Sequence, residues 1–418
     1  LVAVKTIEPD KLQIGMHVIL DLSWWKHPFV RNSFKIQSEK QLEIIRSLGL
    51  DAVKYDPDQS EYPSDDAPKK SPGEKAAPSE KMDQVDIEAA RIKAKKLKFL
   101  KIKQEKLRQC DRKYNQSLAQ VNDITKEISA GNFAGVEKAK ELVDEVVETL
   151  QGDTETMVHL LNLKEMDRVA YFHSLNVSIL SLILGRDLGL TEMVLRDLGI
   201  GALIHDIGKT KIPKKVLLKK TPLSAAEQKY MRMHPIYGYE MAHALPNLSQ
   251  NALDTIMQHH ERITGSGYPK KLRGEEIQLN ALITAIADLY DNLCNSQTEK
   301  RLTPHEAVAI LFHRYRDELP RNLLDSFIKS VGVYPPGTLV ELSGGARGMV
   351  ISSDKKKGMK PTVLVYAQKE PITGPIILDL SEETLDVDRT LRREELEPEE
   401  RAYLRADYSV GFYIHSKS

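Results

Sequence analysis

From Met82 to Ala130 the chain runs 49 residues without a proline or a glycine. A segment that lacks both breakers can stay helical from end to end. Within it Leu100, Leu107, Tyr114, Val121 and Ile128 recur at heptad spacing, and Leu97, Leu118 and Ile124 widen the stripe. The spacing predicts one long helix, about 70 Å at roughly 1.5 Å rise per residue. Its second half reads as a coiled-coil seam, so a homodimer through the helix around 97–128 is expected. Gly131 and Gly135 bracket a break, and Val136 to Leu150 reads as a second helix.

This helix divides the chain. Residues 1–55 read as a small mixed α/β module. Strands are expected at Val18–Leu22 and Leu50–Tyr55. Between them Ser38 can cap a helix, with Gln41 completing a capping box and Gly49 ending it. Trp24-Trp25 and Pro28-Phe29 form an aromatic cluster, either a packing nucleus or a partner-binding face. Residues 56–81 are rich in Pro, Ser, Lys and Asp and read as a disordered linker. Residues 82–151 are the long helix and its connector. Residues 152–330 read as strongly helical, with apolar faces such as Leu175, Ile179 and Leu182. From 331 to 418 the pattern changes to short strands. Ser343-Gly344-Gly345 marks a hairpin turn, and an acidic tail runs from Glu394 to Glu400.

Sixty Lys+Arg balance sixty Asp+Glu over 418 residues. That argues against a globally basic binder, so no DNA or RNA partner is expected. One stretch, Lys69 to Lys113, carries 15 basic against 7 acidic residues. It is either a solvated helix face or a contact for an anionic partner. The two cysteines, Cys110 and Cys294, cannot form a disulfide framework and fit a reducing compartment. The longest apolar run, Leu175 to Leu184, contains Ser178 and Ser181 and falls short of a membrane span. A cytoplasmic protein is expected.

The chemistry-bearing residues concentrate in the helical region. His205-Asp206 follows the apolar run Gly201 to Ile204, and such a pair is costly to bury unless it is satisfied. One pair alone is commonly a hydrogen-bonded core pair. This one has company: His173 lies 32 residues before His205, and His234 lies 28 after Asp206. His259-His260 follows, and Asp288 stands on an otherwise apolar helix. Each spacing suits one helical hairpin delivering ligands to a common centre. Imidazole with carboxylate suits first-row divalent metals without a thiolate. A carboxylate between imidazoles can bridge two metals. Such a pair stabilises both oxygens of a phosphodiester displacement and lowers the pKa of a bridging water. Lys209, one turn after Asp206, could reach a phosphate oxygen.

His173, His205-Asp206 and Asp288 resemble the HD superfamily of metal-dependent phosphohydrolases. Lys209, His234-Pro235, His259-His260-Glu261 and Gly267-Tyr268-Pro269 narrow the resemblance to the HD-GYP family, over about 152–330. Residues 1–55, with Gly15-Met16-His17-Val18, look like an uncharacterised domain that often precedes HD-GYP domains. The resemblance implies a multidomain, mainly α chain. An all-α HD-type catalytic domain would lie among a small mixed N-terminal module, a long helix and a small β C-terminal module. It implies His173, His205, Asp206 and Asp288 around one metal, and Asp206, His234, His259 and His260 around a second. Asp206 and Lys209 would be catalytic. Lys209, Gly267, Tyr268 and Pro269 would meet substrate.

There are departures from the family pattern. Val169 stands where some members carry a Glu for a third metal, so two metals are expected. Thr264 replaces the usual Asp or Asn. The usual Arg-Pro-Tyr loop is absent after Asp291, which leaves Lys300 and Arg301 as candidates for the distal phosphate. Cys294 reads as a reduced packing residue. The family hydrolyses cyclic di-GMP to pGpG and often to GMP, with iron or manganese as the expected metals and nickel or zinc as substitutes. Hydrolysis of cyclic GMP-AMP and a weakly active receptor or scaffold role are the alternatives, with the flanking modules serving protein partners.

Overall fold

The computed structural model describes residues 4–22, 27, 29, 33–60, 80–151, 154–161, 166–219, 221–295, 301–343, 345–353, 359–366, 376–383 and 385–416. The chain divides into two compact units, Leu1–Ile102 and Lys103–Ser418.

The first unit holds four short strands: β1 (Lys5–Ile7), β2 (His17–Ile19), β3 (Ser33–Lys35) and β4 (Val53–Asp56). They pair antiparallel in the order β1-β4-β2-β3. Helix α1 (Glu39–Ser47) starts as expected, with Ser38 accepting from the Gln41 N–H at 3.3 Å. The Gln41 side chain accepts from Gln37 rather than Ser38, so the capping box is incomplete. Gly49 follows the helix with φ of 65°, a left-handed conformation that glycine adopts without strain. Leu12, Val18, Ile36, Leu42, Ile45 and Val53 form the core, and Phe29 and Phe34 pack on it. Trp24, Trp25 and Pro28 lie outside the described residues, as does the linker between 61 and 79.

Helix α2 (Glu80–Ser129) is continuous over 50 residues. The part of its stripe from Tyr114 to Ile128 packs within the chain itself. Tyr114, Leu118, Val121, Ile124 and Ile128 are at most 4% exposed inside the second unit. The Tyr114 ring stands 5.7 Å from that of Phe172, and its hydroxyl donates to Asn176 at 2.8 Å. Helical periodicity marks a buried face without saying what covers it. Between Tyr114 and Ile128 the covering is intramolecular, so this part of the stripe is accounted for by the chain's own core.

The second unit continues with α3 (Ala134–Leu150) and β5 (Thr154–Leu161). Then come α4 (Met166–Asp187), α5 (Glu192–Leu203), α6 (Lys214–Leu217), α7 (Ala225–Met231), α8 (His234–His243) and α9 (Gln250–Gln258). Helices α10 (Leu279–Asn295), α11 (Pro304–Arg314) and α12 (Arg321–Val331) complete the helical part. Strands β6 (Leu339–Leu342), β7 (Arg347–Ser353), β8 (Thr362–Val365), β9 (Ile376–Asp379) and β10 (Val387–Leu391) follow. The chain closes with α13 (Pro398–Leu404) and β11 (Ser409–Ser416).

Two expectations change here. Residues 154–161, within the stretch read as strongly helical, form a strand. They pair antiparallel with β11, from Thr154 opposite Ser416 to Leu161 opposite Ser409. The C-terminal sheet runs β10-β6-β7-β5-β11, with β8 and β9 added beside β7. Nor is Glu394–Glu400 a free acidic tail. Glu397 and Glu400 form the capping box of α13, and buried Glu400 holds Arg347 at 3.0 Å.

The window Val169–Asp187 of α4 is long and apolar enough to cross a membrane. It is 67% buried within the unit, as the central helix of a packed bundle is. Phe172, Val177, Leu180 and Ile183 fill the surrounding core.

Candidate metal centre

Each histidine enters the cluster from a helix or a helix end. α4 supplies His173. α5 ends at Leu203, so His205 and Asp206 follow at its C-terminus, where the chain turns tightly into Ile207–Lys211. At Gly208 an added Cβ would lie 2.0 Å from the His234 carbonyl, so only glycine lets this turn approach α8. α8 begins with His234, α9 is capped by His259 with His260 next, and α10 supplies Asp288.

Three imidazoles are oriented by the same local device. The Nδ1 of His205 donates to the Ala202 carbonyl at 2.7 Å, that of His234 to Met231 at 2.8 Å, and that of His259 to Ile256 at 2.8 Å. A carbonyl can only accept, so the proton sits on Nδ1 and the Nε2 lone pair faces the cluster. His173 is held differently. Its Nδ1 lies 2.7 Å from Asp291 Oδ2, and its Nε2 lies 3.1 Å from Asp288 Oδ1.

Asp206 stands between two sets. Its Oδ2 lies 3.7 Å from His173 Nε2 and 3.4 Å from His205 Nε2. Its Oδ1 lies 3.2 Å from His234 Nε2 and 3.9 Å from His259 Nε2. Asp288 also faces both ways, with Oδ1 toward His173 and His205 and Oδ2 3.9 Å from His260 Nδ1. Donor atoms of Asp206, His234, His259 and His260 lie within 4.8 Å of one another, as do those of His173, His205 and Asp206.

The donors call for a cation. His173 Nε2, His205 Nε2 and Asp206 Oδ1 are buried and make no hydrogen bond within the fold. Such atoms are costly unless something satisfies them. Burial opposes charge on His173, yet Asp288 and Asp291 overcome it and raise its imidazole to about 10. Burial also opposes ionisation of Asp206 and Asp288. The charge of Lys209 and the contacts of His205 and His234 hold Asp206 far below the usual carboxylate range, and the hydrogen bond to His173 does so for Asp288. Burial and the neighbouring imidazoles push His259 and His260 down, so both are neutral. Ionised carboxylates, the neutral imidazoles of His259 and His260, and orphaned buried donor atoms suit a divalent metal site. His/Asp clusters of this composition are able to hold metal.

Lys209 makes an ion pair with Asp206 and is 35% exposed, against none for His205 and His259, so the centre opens on the lysine side. Burial opposes its charge, but Asp206 and Asp288 keep it protonated. Tyr268 stacks on His260 with ring centroids 4.6 Å apart. Its loop is pinned by Glu261, which is fully buried and accepts the N–H groups of Lys270, Lys271 and Leu272 at 2.6–3.0 Å. Gly267 is required there, because an added Cβ would lie 2.5 Å from Glu261 Cα. The Tyr268–Pro269 bond is cis.

Not every expected residue joins this centre. Arg301 donates to the Asp407 carbonyl at 3.4 Å and lines a cavity of about 110 Å³ with Arg392 and Arg393. None of the cluster's residues lines that cavity. Lys300 lies outside the described residues. Thr264 bonds Ser266 at 2.9 Å and bridges Arg273 within the loop. Burial pushes the Cys294 thiol well above its ordinary range, which fits a packing residue.

Sequence reasoning passed over an amide clamp behind His173. Asp291 Oδ1 accepts from Asn176 at 2.7 Å and from Asn295 at 2.9 Å. Both amides also donate to the Val410 carbonyl of β11, at 3.1 and 2.9 Å. Their carbonyls accept in turn from Phe412 and Val410. The available signal was helical spacing, because Asn176 stands three residues after His173, and Asp291 three after Asp288.

The fold and cluster define an HD domain. Residues 155–319 match the family described as HD domain, and residues 4–139 match a domain of unknown function, DUF3391. The chain is an HD-domain phosphohydrolase with an N-terminal DUF3391, related to cyclic di-GMP phosphodiesterases. It is 28% identical over 378 residues to the cyclic di-GMP phosphodiesterase PA4108 of Pseudomonas aeruginosa, covering 89% of this chain and 88% of that protein. It is 42% identical over 91 residues to 3'3'-cGAMP-specific phosphodiesterase 2 of Vibrio cholerae, 22% of this chain and 17% of that one. Among solved structures, the HDG"Y"P protein Bd1817 of Bdellovibrio bacteriovorus aligns with a TM-score of 0.42 at 16% identity, covering 78% of this chain and 98% of that one.

Proposed function

We propose that this protein hydrolyses cyclic di-GMP to pGpG, and onward to GMP, with two divalent metals of which iron or manganese is the native pair. The observation that carries the reading is Asp206, whose two oxygens face two separate histidine sets while Lys209 stands at the open edge. His173, His205, Asp206 and Asp288 would hold one metal, and Asp206, His234, His259 and His260 the other. Bound there, the pair supplies Lewis acidity and water of lowered pKa.

The chain's own groups do the rest. The backbone carbonyls behind His205, His234 and His259 fix which ring nitrogen faces the centre. Lys209 keeps its proton and offers N–H donors to a phosphate oxygen as negative charge builds there. Tyr268 offers a ring face beside His260, on which part of the substrate can rest. No serine or cysteine nucleophile is needed.

Chromatography of products tests this. Anaerobically purified protein supplied with Mn(II) or Fe(II) should convert cyclic di-GMP to pGpG, and Asp206→Ala should not. Turnover that persists after the metals are stripped would sink the mechanism. A parallel reaction with 3'3'-cyclic GMP-AMP addresses the second reading, which the similarity to the Vibrio cholerae enzyme favours. Faster cleavage of that dinucleotide would assign the substrate to it.

A further inference from the structure

A cyclic dinucleotide carries two phosphates, and only one can be at the metals when it is cut. This inference rests on the proposed function and concerns the other phosphate. Arg301 is committed to the C-terminal cavity and to the Asp407 carbonyl. Arg262 is buried and spent on the carbonyls of His259 and Glu261 and on Glu318. Arg232 is different. It stands two residues before His234, at the C-cap of α7, and is exposed. Its guanidinium carbon lies over the Tyr268 ring, 5.3 Å from the centroid. Tyr268 in turn stacks on His260 and lies 6.4 Å from the His234 ring. No carboxylate among the described residues pairs with Arg232.

We propose that Arg232, laid on the Tyr268 ring, binds the phosphate that is not being cut. The chemistry favours it. A guanidinium offers planar paired N–H donors that match two phosphate oxygens, which a lysine ammonium does not. The aromatic face beneath fixes its position without consuming those donors. An arginine with no ion-pair partner loses little when an anion arrives, because no existing salt bridge has to break. Lys209 and Arg232 then serve different phosphates, one from the turn after Asp206 and one from the end of α7.

The test is binding, read separately from turnover. Titration calorimetry on the metal-loaded full chain would use the bis-phosphorothioate analogue of cyclic di-GMP, which resists cleavage. Arg232→Ala should weaken binding by about ten-fold or more, as loss of a charge-assisted bidentate contact does. Arg232→Lys should recover part of it. The salt dependence of binding should flatten in Arg232→Ala, because one phosphate contact is gone. Unchanged affinity in Arg232→Ala would overturn the assignment. Weaker binding with unchanged salt dependence would overturn it too, since a contact to a neutral base or a prop for Tyr268 would behave that way. Wild-type protein that binds the analogue with the expected Arg232 dependence but leaves cyclic di-GMP uncut would sink the proposed function and keep this assignment. Wild-type protein that binds no analogue would sink both.

Discussion

His173 donates its Nδ1 proton to Asp291, 2.7 Å away, and Asp291 is 1% exposed. The imidazole is thereby aimed by a residue that does not itself face the cluster. Asp291 is held by Asn176 and Asn295, and both amides grip the backbone of β11 at Val410. The C-terminal strand is therefore bonded, through two links, to a candidate metal ligand on α4.

Asp291→Ala should weaken metal binding. Groups that orient a ligating histidine typically contribute about 10–100-fold in affinity. Calorimetric titration of the apo protein with Mn(II) would read the loss, with a thermal melt alongside to register the damaged clamp. Wild-type Mn(II) affinity in the variant would show that the Asp291 contact does not aim the ring for a metal.

Gly208 is a second point of leverage. An added Cβ would meet the His234 carbonyl at 2.0 Å and the Gly238 nitrogen at 2.4 Å, both backbone atoms that cannot swing aside. Gly208→Ala should push α8 outward and carry His234 with it. Overpacking of this kind costs about 1–3 kcal/mol. Elemental analysis should show the His234 set losing its metal first, so occupancy falls toward one per chain. Full occupancy with an unshifted melting temperature would contradict the close approach.

The histidine series was readable in the sequence because no other economical explanation places five imidazoles and two carboxylates on apolar helices. Local rules accounted for much else: the absence of breakers gave α2, and the caps at Ser38 and Gly49 framed α1. Contacts between distant segments stayed hidden. β5 pairs with β11 from the other end of the chain, and eight residues carry no mark of so remote a partner. The amide clamp joins Asn176 to Phe412, and Tyr114 to Asn176, by the same kind of long-range bond. The heptad stripe matches the buried face of α2 from Tyr114 to Ile128, but a period cannot distinguish a second copy from the chain's own core.

Because Tyr114 is fully buried, Tyr114→Ala should act on folding rather than on assembly. Removing a buried ring costs about 3–5 kcal/mol, and the Asn176 carbonyl also loses a donor. Chemical denaturation should show the drop, while light scattering of wild-type protein should reveal no dimer held by residues 114–128. A wild-type dimer that Tyr114→Ala dissociates with stability intact would restore the coiled-coil reading.

Glu227 offers a pH signature at the N-terminal cap of α7. It accepts from Lys219 at 2.6 Å and from the Ser224 N–H at 2.7 Å, and its carboxyl is lowered from 4.5 to about 2, with the Lys219 contact the largest cause. A depressed folded value means the stabilisation is complete above about 4.5 and fades as pH falls toward 2. An NMR titration should place its midpoint near 2 and move it upward in Lys219→Ala. A midpoint at 4.5 in both proteins would remove this cap as a source of acid sensitivity.

Glu261 binds three consecutive backbone N–H groups, those of Lys270, Lys271 and Leu272, directly after the Tyr268–Pro269 pair. Glu261→Gln keeps the shape but replaces one acceptor oxygen by a donor, which then faces N–H groups in a buried site. A buried amide left without its acceptor costs about 1–3 kcal/mol. The cost should fall on the loop, because His205, His234 and His259 are oriented by backbone carbonyls and His173 by Asp291, not by Glu261. Hydrogen exchange at Lys270, Lys271 and Leu272 should quicken, and KM for the dinucleotide should rise while Mn(II) affinity holds. Loss of metal with an unchanged exchange pattern would instead place Glu261 in the centre's own support.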